Sequence, residues 1–171
     1  GASPTSIAFS ADGTSIALGL KSRSGDGEIA IWDMRLLKFT GNGTLKVAHG
    51  GVVSRVLFSP DGTSLAAIYR RTSDAGEVAL WDVKQGTLLA NRSLKPISHL
   101  AFSPDGKLLA AVIRDDSDND RSRTGIELWD SRTLSPRNDR RLAVDQGDIG
   151  SLTFSHDSST IFSVIHNDSF V

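Results

Sequence analysis

The chain has 171 residues, 39% of them hydrophobic and 23% charged, which is the composition of a globular protein rather than of a disordered or membrane-spanning one. Its 19 Lys and Arg residues are balanced by 20 Asp and Glu residues, so the charge argues against nucleic acid or an anionic membrane as a partner. The sequence contains no cysteine, which excludes disulfides and thiolate metal sites.

The predicted elements are short strands that follow one another in a repeating order. The first repeat begins with the alternating run SIAF, followed by the turn SADG, the apolar run SIALGL, a polar loop and the run EIAIW. A more polar stretch, LLKFT, ends the repeat. The same order recurs from SRVLF and from SHLAF, whereas the repeat that begins with SLTF reaches only its second strand, TIFSVI. This pattern predicts about four strands per repeat and no helix.

Two markers define the period of this repetition. A Phe-Ser pair precedes each turn at spacings of 49, 44 and 52 residues, and a Trp-Asp pair ends each third strand at spacings of 49 and 48 residues. The period indicates a repeated supersecondary unit. We expect one domain, 1–171, with repeats at 4–48, 49–94, 95–145 and, incomplete, 146–171. The markers are Phe9, Phe58, Phe102 and Phe154, and Trp32-Asp33, Trp81-Asp82 and Trp129-Asp130.

The motif FSPDG, at Phe58–Gly62 and Phe102–Gly106, is predicted to be a hairpin device. Pro presets the backbone angle of the first turn position, and Asp accepts hydrogen bonds from nearby main-chain N–H groups. Gly takes the left-handed position that closes the hairpin. The Phe before the turn is expected to be the buried end of the inner strand.

The combination of FSPDG and Trp-Asp at this period resembles the WD-repeat family, whose repeats form blades of a β-propeller. The resemblance implies an all-β propeller segment of four-stranded antiparallel blades, three near-complete and the start of a fourth. It also implies structural roles for the Trp-Asp pairs and for His49, which stands nine residues before Phe58. The loop Asp of the family's polar network is present in the first repeat only, as Asp26, so these repeats are degenerate and are expected to depend mainly on packing.

About three and a half repeats are fewer than the roughly four to eight blades of a closed propeller. Three explanations stay open: a fragment of a longer propeller, a half that closes by pairing with itself, or an open array capped by another protein. The opening residues GAS lack a starting Met, so we expect a cut end there, and no signal-peptide pattern is visible. The compartment is not assigned, although the cytoplasm is favoured.

The loops between the second and third strands are the candidate partner-binding segments. The resemblance implies that these loops emerge on one face of a propeller, and functional residues are often carried by loops on a rigid scaffold. Solvation of charged loop tips is the alternative interpretation. The candidate residues are Arg70, Arg71, Arg114, Asp115, Asp116, Arg121 and Arg123.

No metal, cofactor or catalytic site is predicted. Asp116, Asp118 and Asp120 have the D-x-D-x-D spacing of a calcium loop, but Arg121 stands where such a loop needs Gly and Glu127 falls within the third strand. The four histidines are part of no HExxH motif, and no G-x-S-x-G sequence occurs. The three Trp residues end alternating strands, which favours core packing over stacking on nucleic acid.

The sequence therefore predicts a non-catalytic WD-repeat platform for protein–protein interaction, part of a larger propeller. The expected partners are other proteins, or a second copy that completes the propeller. Two alternatives stay open: a sensing or substrate-gating propeller in a longer chain with a hydrolase or kinase, and a Tol-type envelope propeller, which shares the SPDG turns but lacks the Trp-Asp endings.

Overall fold

The structure, a computed structural model, describes residues 2–22, 26–46, 51–71, 75–115, 123–137, 142–144 and 148–166. Every regular element in these ranges is a β-strand, which confirms the predicted all-β class. The strands are β1 (Ser3–Phe9), β2 (Ser15–Lys21), β3 (Gly27–Asp33), β4 (Lys38–Lys46), β5 (Val52–Phe58), β6 (Ser64–Arg70), β7 (Gly76–Asp82), β8 (Leu88–Leu94), β9 (Ile97–Phe102), β10 (Leu108–Asp115), β11 (Arg123–Asp130), β12 (Leu142–Val144), β13 (Asp148–Phe154) and β14 (Ile161–His166).

The strands pair with their neighbours in the chain. Strands β1 to β4, β5 to β8 and β9 to β12 each form a four-stranded sheet, and β13 pairs with β14. The pairing is antiparallel throughout the registers of these sheets. Three near-complete blades and the start of a fourth are thereby confirmed, because each sheet has the up-and-down order of a propeller blade.

The hairpin turns have the predicted geometry. Gly13, Gly62 and Gly106 have φ values of 67°, 69° and 71°, in the left-handed region that glycine adopts without a steric penalty. The near-copy FSHDS places Ser158 at a φ of 62° in the same position. The turn depends on the residue at this position and on the Asp directly before it, so it tolerates the loss of both Pro and Gly.

Each sheet has two faces, because successive side chains of a strand point to opposite sides. We call leading the face that carries the Phe of the hairpin motif, and trailing the opposite face. The prediction that this Phe is the buried end of the inner strand is correct for Phe58, which is 9% exposed, and wrong for Phe9, which is 61% exposed. The reason is that the first sheet packs on the leading face of the second sheet, whereas among the described residues of the first unit no sheet packs on the leading face of the first.

The residues group into two compact units, Gly1–Ser93 and Leu94–Val171. In the first unit, the trailing face of the first sheet packs against the leading face of the second. The first sheet contributes Ala8, Ala17, Ile29 and Ile31, and the second contributes Val53, Val56, Phe58, Leu65, Ala67, Tyr69, Ala79 and Trp81.

The second unit repeats this arrangement with the third sheet and the β13–β14 hairpin. The trailing face of the third sheet, which includes Ala110, Val112 and Ile126, packs against Ile149 and Leu152 of the hairpin. Each unit thus contains an apolar contact between a trailing face and a leading face, and burial of this surface stabilises the unit.

Candidate functional site

The loop after β6, which carries the first candidate residues, begins with two adjacent arginines at the end of that strand. Arg70 is the last residue of the strand and its backbone pairs with Val52 and Gly76. The N–H of Arg71 donates to the carbonyl oxygen of Ala75 at 3.3 Å, which narrows the base of the loop. Both residues are exposed, and no described Asp or Glu forms an ion pair with either of them.

The second candidate loop is anchored differently. One guanidinium nitrogen of Arg114 lies 3.5 Å from Oδ2 of Asp148, and the two side chains are 49% and 47% exposed. The hydroxyl of Thr124 donates to Oδ1 of the same Asp148 at 2.9 Å. This cluster connects the third sheet to the start of β13, so Arg114 has a structural contact that the sequence did not reveal.

The other candidate loop residues are described in part. Asp115 and Arg123 are backbone partners at the ends of β10 and β11. The remaining candidates, Asp116 and Arg121, lie outside the described residues, as do the Asp-rich spacing that resembled a calcium loop and His49. Among the residues that the structure describes, no group of three His, Asp or Glu side chains could hold a metal ion, and no helix there is long and apolar enough to cross a membrane.

The Trp side chains of the three Trp-Asp pairs differ in burial. Trp81 and Trp129 are buried, at 5% and 0% exposure, whereas Trp32 is half-buried and contacts Phe39 edge-on at 4.5 Å between ring centroids.

The Asp of each pair accepts backbone N–H groups in the turn to the fourth strand. Asp33 accepts from Arg35 and Leu36 at 2.8 and 2.9 Å, and Asp82 accepts from Gln85 at 2.6 Å. Asp130 accepts from Arg132 and Thr133 at 3.1 and 3.2 Å. These carboxylates therefore close the turns at the end of the sheet opposite to the candidate loops.

The serine of the hairpin motif carries a network that sequence reasoning missed. Its hydroxyl donates to the turn Asp at 2.6 Å and accepts, at 2.9 Å, the N–H of the residue five positions after the Ser, where the second strand begins or is about to begin. Ser10, Ser59 and Ser103 are buried. The signal was available, because Ser follows the Phe in every repeat.

These hydrogen bonds stabilise the ionised turn carboxylates. The Ser10 hydroxyl, together with the N–H and hydroxyl of Thr14, lowers the pKa of Asp12 from 3.8 to about 2. The Ser155 hydroxyl and the N–H and hydroxyl of Ser159 lower the pKa of Asp157 to about 2. The shifts arise in structural turns, so they do not mark a catalytic carboxylate.

A buried polar group in the second sheet was also missed. Glu77 is 1% exposed and accepts a hydrogen bond from Nδ2 of Asn91 at 2.8 Å. It faces the same side of the sheet as its register partner Tyr69 and as Trp81. Burial raises the pKa of the Tyr69 phenol, the Trp81 indole opposes that rise and the Glu77 carboxylate adds to it.

Two segments of the sequence match a known protein family, and the fold is similar to that of a solved structure. Residues 1–33 and 85–120 match the WD40 family, "WD domain, G-beta repeat". No curated protein matches the sequence. The fold is similar to the crystal structure of the Cps50 (Swd1) β-propeller domain from Myceliophteria thermophila, with a TM-score of 0.67 and 17% identity over 96% of this chain. The chain spans about half, 51%, of that domain. Two segments of the chain are thus similar to WD repeats, and its strands form sheets like the blades of a β-propeller.

Proposed function

We propose that the chain is a non-catalytic platform for protein–protein interaction, and that Arg70 and Arg71 bind an acidic segment of the partner. The observation that carries this proposal is the exposure of two adjacent guanidinium groups that have no ion-pair partner among the described residues. Guanidinium groups bind carboxylates through paired hydrogen bonds, which gives such a site both charge and directional specificity.

The scaffold below this pair supports the proposal. The residues of β6 that precede Arg70, from Leu65 to Tyr69, are at most 1% exposed. Such a strand holds its end in a fixed position, so the backbone that carries the arginines loses little conformational freedom when a partner binds. WD-repeat propellers are in general interaction scaffolds, and this construction is consistent with that use.

The loop from Arg114 to Arg123 is proposed as a secondary contact. Asp148 already neutralises Arg114 in part, and the ion pair would have to be broken or shared when an acidic partner binds. Binding of the acidic partner is therefore assigned mainly to the loop after β6, in the first unit.

The test is a binding measurement on an array of synthetic acidic peptides with the 171-residue chain and its Arg70→Glu/Arg71→Glu variant. Charge reversal should weaken binding of the peptides that the natural chain retains by about tenfold or more, because attraction becomes repulsion. The melting temperature should stay nearly unchanged, since both side chains are exposed.

The matched control is Lys84→Glu/Arg132→Glu, which makes the same change in net charge at exposed positions in the turns at the opposite end of the sheets. This control should keep the binding of the natural chain. If both variants lost peptide binding equally, net charge alone would explain the effect, and a site at Arg70 and Arg71 would be contradicted. Unchanged peptide binding by Arg70→Glu/Arg71→Glu would contradict the site as well.

A further inference from the structure

The leading face of the first sheet is an exposed apolar surface. It consists of Ile7, Phe9, Ile16, Leu18, Leu20 and Trp32, which the strand registers place on one side. Ile7 and Phe9 are 58% and 61% exposed, and the other four are half-buried. Contiguous apolar surface of this kind usually marks an interaction site.

The repeat shows what kind of surface fits there. Each of the six residues has a counterpart 49 positions later, in the leading face of the second sheet: Val56, Phe58, Leu65, Ala67, Tyr69 and Trp81. Those six counterparts are at most 9% exposed, because the trailing face of the first sheet covers them. The partner surface of a leading face is therefore the trailing face of another repeat.

The β13–β14 hairpin of the same chain carries an exposed trailing face. In the β13–β14 hairpin, Thr153 pairs with Phe162 and Ser151 with Val164, as Ala8 pairs with Ala17 and Ser6 with Gly19 in the first sheet. Phe162 and Val164 are 58% and 55% exposed. Phe162 occupies the position of Ala17 and so offers more apolar surface than the alanine does.

We propose that the leading face of the first sheet binds the trailing face of the β13–β14 hairpin of a second copy of this chain. The contact would repeat, between molecules, the packing that already holds each compact unit together. The chain spans about half of the propeller domain that it matches. The inference does not depend on the arginine site.

This contact is head-to-tail, since it joins two different surfaces of the same chain. A head-to-tail contact either closes into a small ring or continues into a longer array. In both cases every molecule uses one leading face and one trailing face, and this requirement makes the contact testable by mixing variants.

The experiment is light scattering on a sizing column with the 171-residue chain, with Phe9→Asp, with Phe162→Asp, and with an equal mixture of the two variants. The natural chain should have twice the mass of the 18.3 kDa single chain, or a larger multiple. Each variant alone should be a monomer, because one of its two faces is charged. The mixture should recover a dimer, because each variant keeps the face that the other has lost.

Leu89→Asp is the matched control: it introduces the same charge at a residue that is 49% exposed on β8, outside both faces. This variant should associate like the natural chain, as should Arg70→Glu/Arg71→Glu. Far-UV circular dichroism checks folding, and Ile7→Asp and Val164→Asp replace any variant that fails to fold.

Three outcomes would overturn the inference. A natural chain that is monomeric at all concentrations has no such contact. A Phe162→Asp variant that still associates would instead indicate pairing between two leading faces. A mixture that stays monomeric would show that the two faces do not bind each other.

Discussion

Hydrogen bonds from neighbouring residues stabilise the ionised Asp carboxylate of each hairpin turn. The donors and the Asp lie within five consecutive residues. In each hairpin the Asp accepts from the Ser two positions before it and from the N–H two positions after it. Protonation removes the charge that these donors stabilise. At the scale of single residues, the hairpin turns should therefore lose stability when acid protonates their Asp carboxylates.

The first prediction concerns the pH at which Asp12 loses this stabilisation. Its pKa is about 2 in the fold against an ordinary value of 3.8, so its contribution is complete above pH 3.8 and is lost as the pH falls toward 2. Ser10→Ala removes the largest cause of the shift and should raise the pKa of Asp12 toward 3.8. An NMR titration of the Asp12 carboxyl carbon measures this, and a value that stays near 2 in the variant would contradict the assignment.

The second prediction concerns a strained leucine. Leu37 and Leu134 stand four residues after the Asp of their Trp-Asp pairs and have φ values of 50° and 56°, where Gly86 stands in the second repeat at 67°. Leu37 is 68% exposed and Leu134 is 2% exposed. Leu37→Gly should raise the free energy of unfolding by about 0.5–1 kcal/mol, because it relieves left-handed strain and uncovers little apolar surface.

Leu134→Gly is the comparison for that prediction. It relieves similar strain but removes a buried side chain, so it should lower the free energy of unfolding by about 2–3 kcal/mol. Urea denaturation of both variants measures the difference. A loss of stability in Leu37→Gly would contradict the argument from backbone strain, and a gain in Leu134→Gly would contradict the argument from burial.

At the scale of elements, the contact between the first and second sheets depends on glycines that leave room for the neighbouring strand. A Cβ atom at Gly19 would lie 2.6 Å from Cγ1 of Val53. A Cβ atom at Gly27 would overlap the backbone oxygen of Gly51. The two sheets can therefore approach this closely only where side chains are missing.

The third prediction separates these two kinds of overlap. Gly19→Ala and Gly27→Ala should each lower the free energy of unfolding by about 1–3 kcal/mol through overpacking. Val53→Ala should rescue Gly19→Ala in a double-mutant cycle, because a side chain causes that overlap. It should rescue Gly27→Ala less, because backbone atoms stay in place. Equal coupling energies in the two cycles would contradict this difference.

At the scale of the whole molecule, the repeats produce surfaces that are not equivalent. The leading face of the second sheet is covered, and the matching face of the first sheet is open. The arginine loop and the open faces are chemically distinct, one charged and the other apolar. The proposed partner binding and self-association can therefore be abolished separately, by charge reversal at Arg70 and Arg71 and by Asp at Phe9 or Phe162.

Much of the fold could be predicted from the sequence because its signals act over short distances. The left-handed turn position, the Asp that accepts N–H groups and the alternation of apolar residues each concern fewer than about ten neighbouring residues. They determined the hairpins, the strand order and the repeat period. The site was predicted less completely: exposed Arg70 and Arg71 followed from the loop pattern, whereas the contact of Arg114 with Asp148 joins residues far apart in the chain.

Only the tertiary structure decided which copies of a repeated residue are buried. Phe9 and Phe58 occupy the same position in the same motif, as do Leu37 and Leu134, yet one member of each pair is exposed and the other is not. Local sequence sets the direction of a side chain, because that depends on backbone geometry. Burial depends on whether another sheet packs on that face, and this is a property of the assembled sheets rather than of any one repeat.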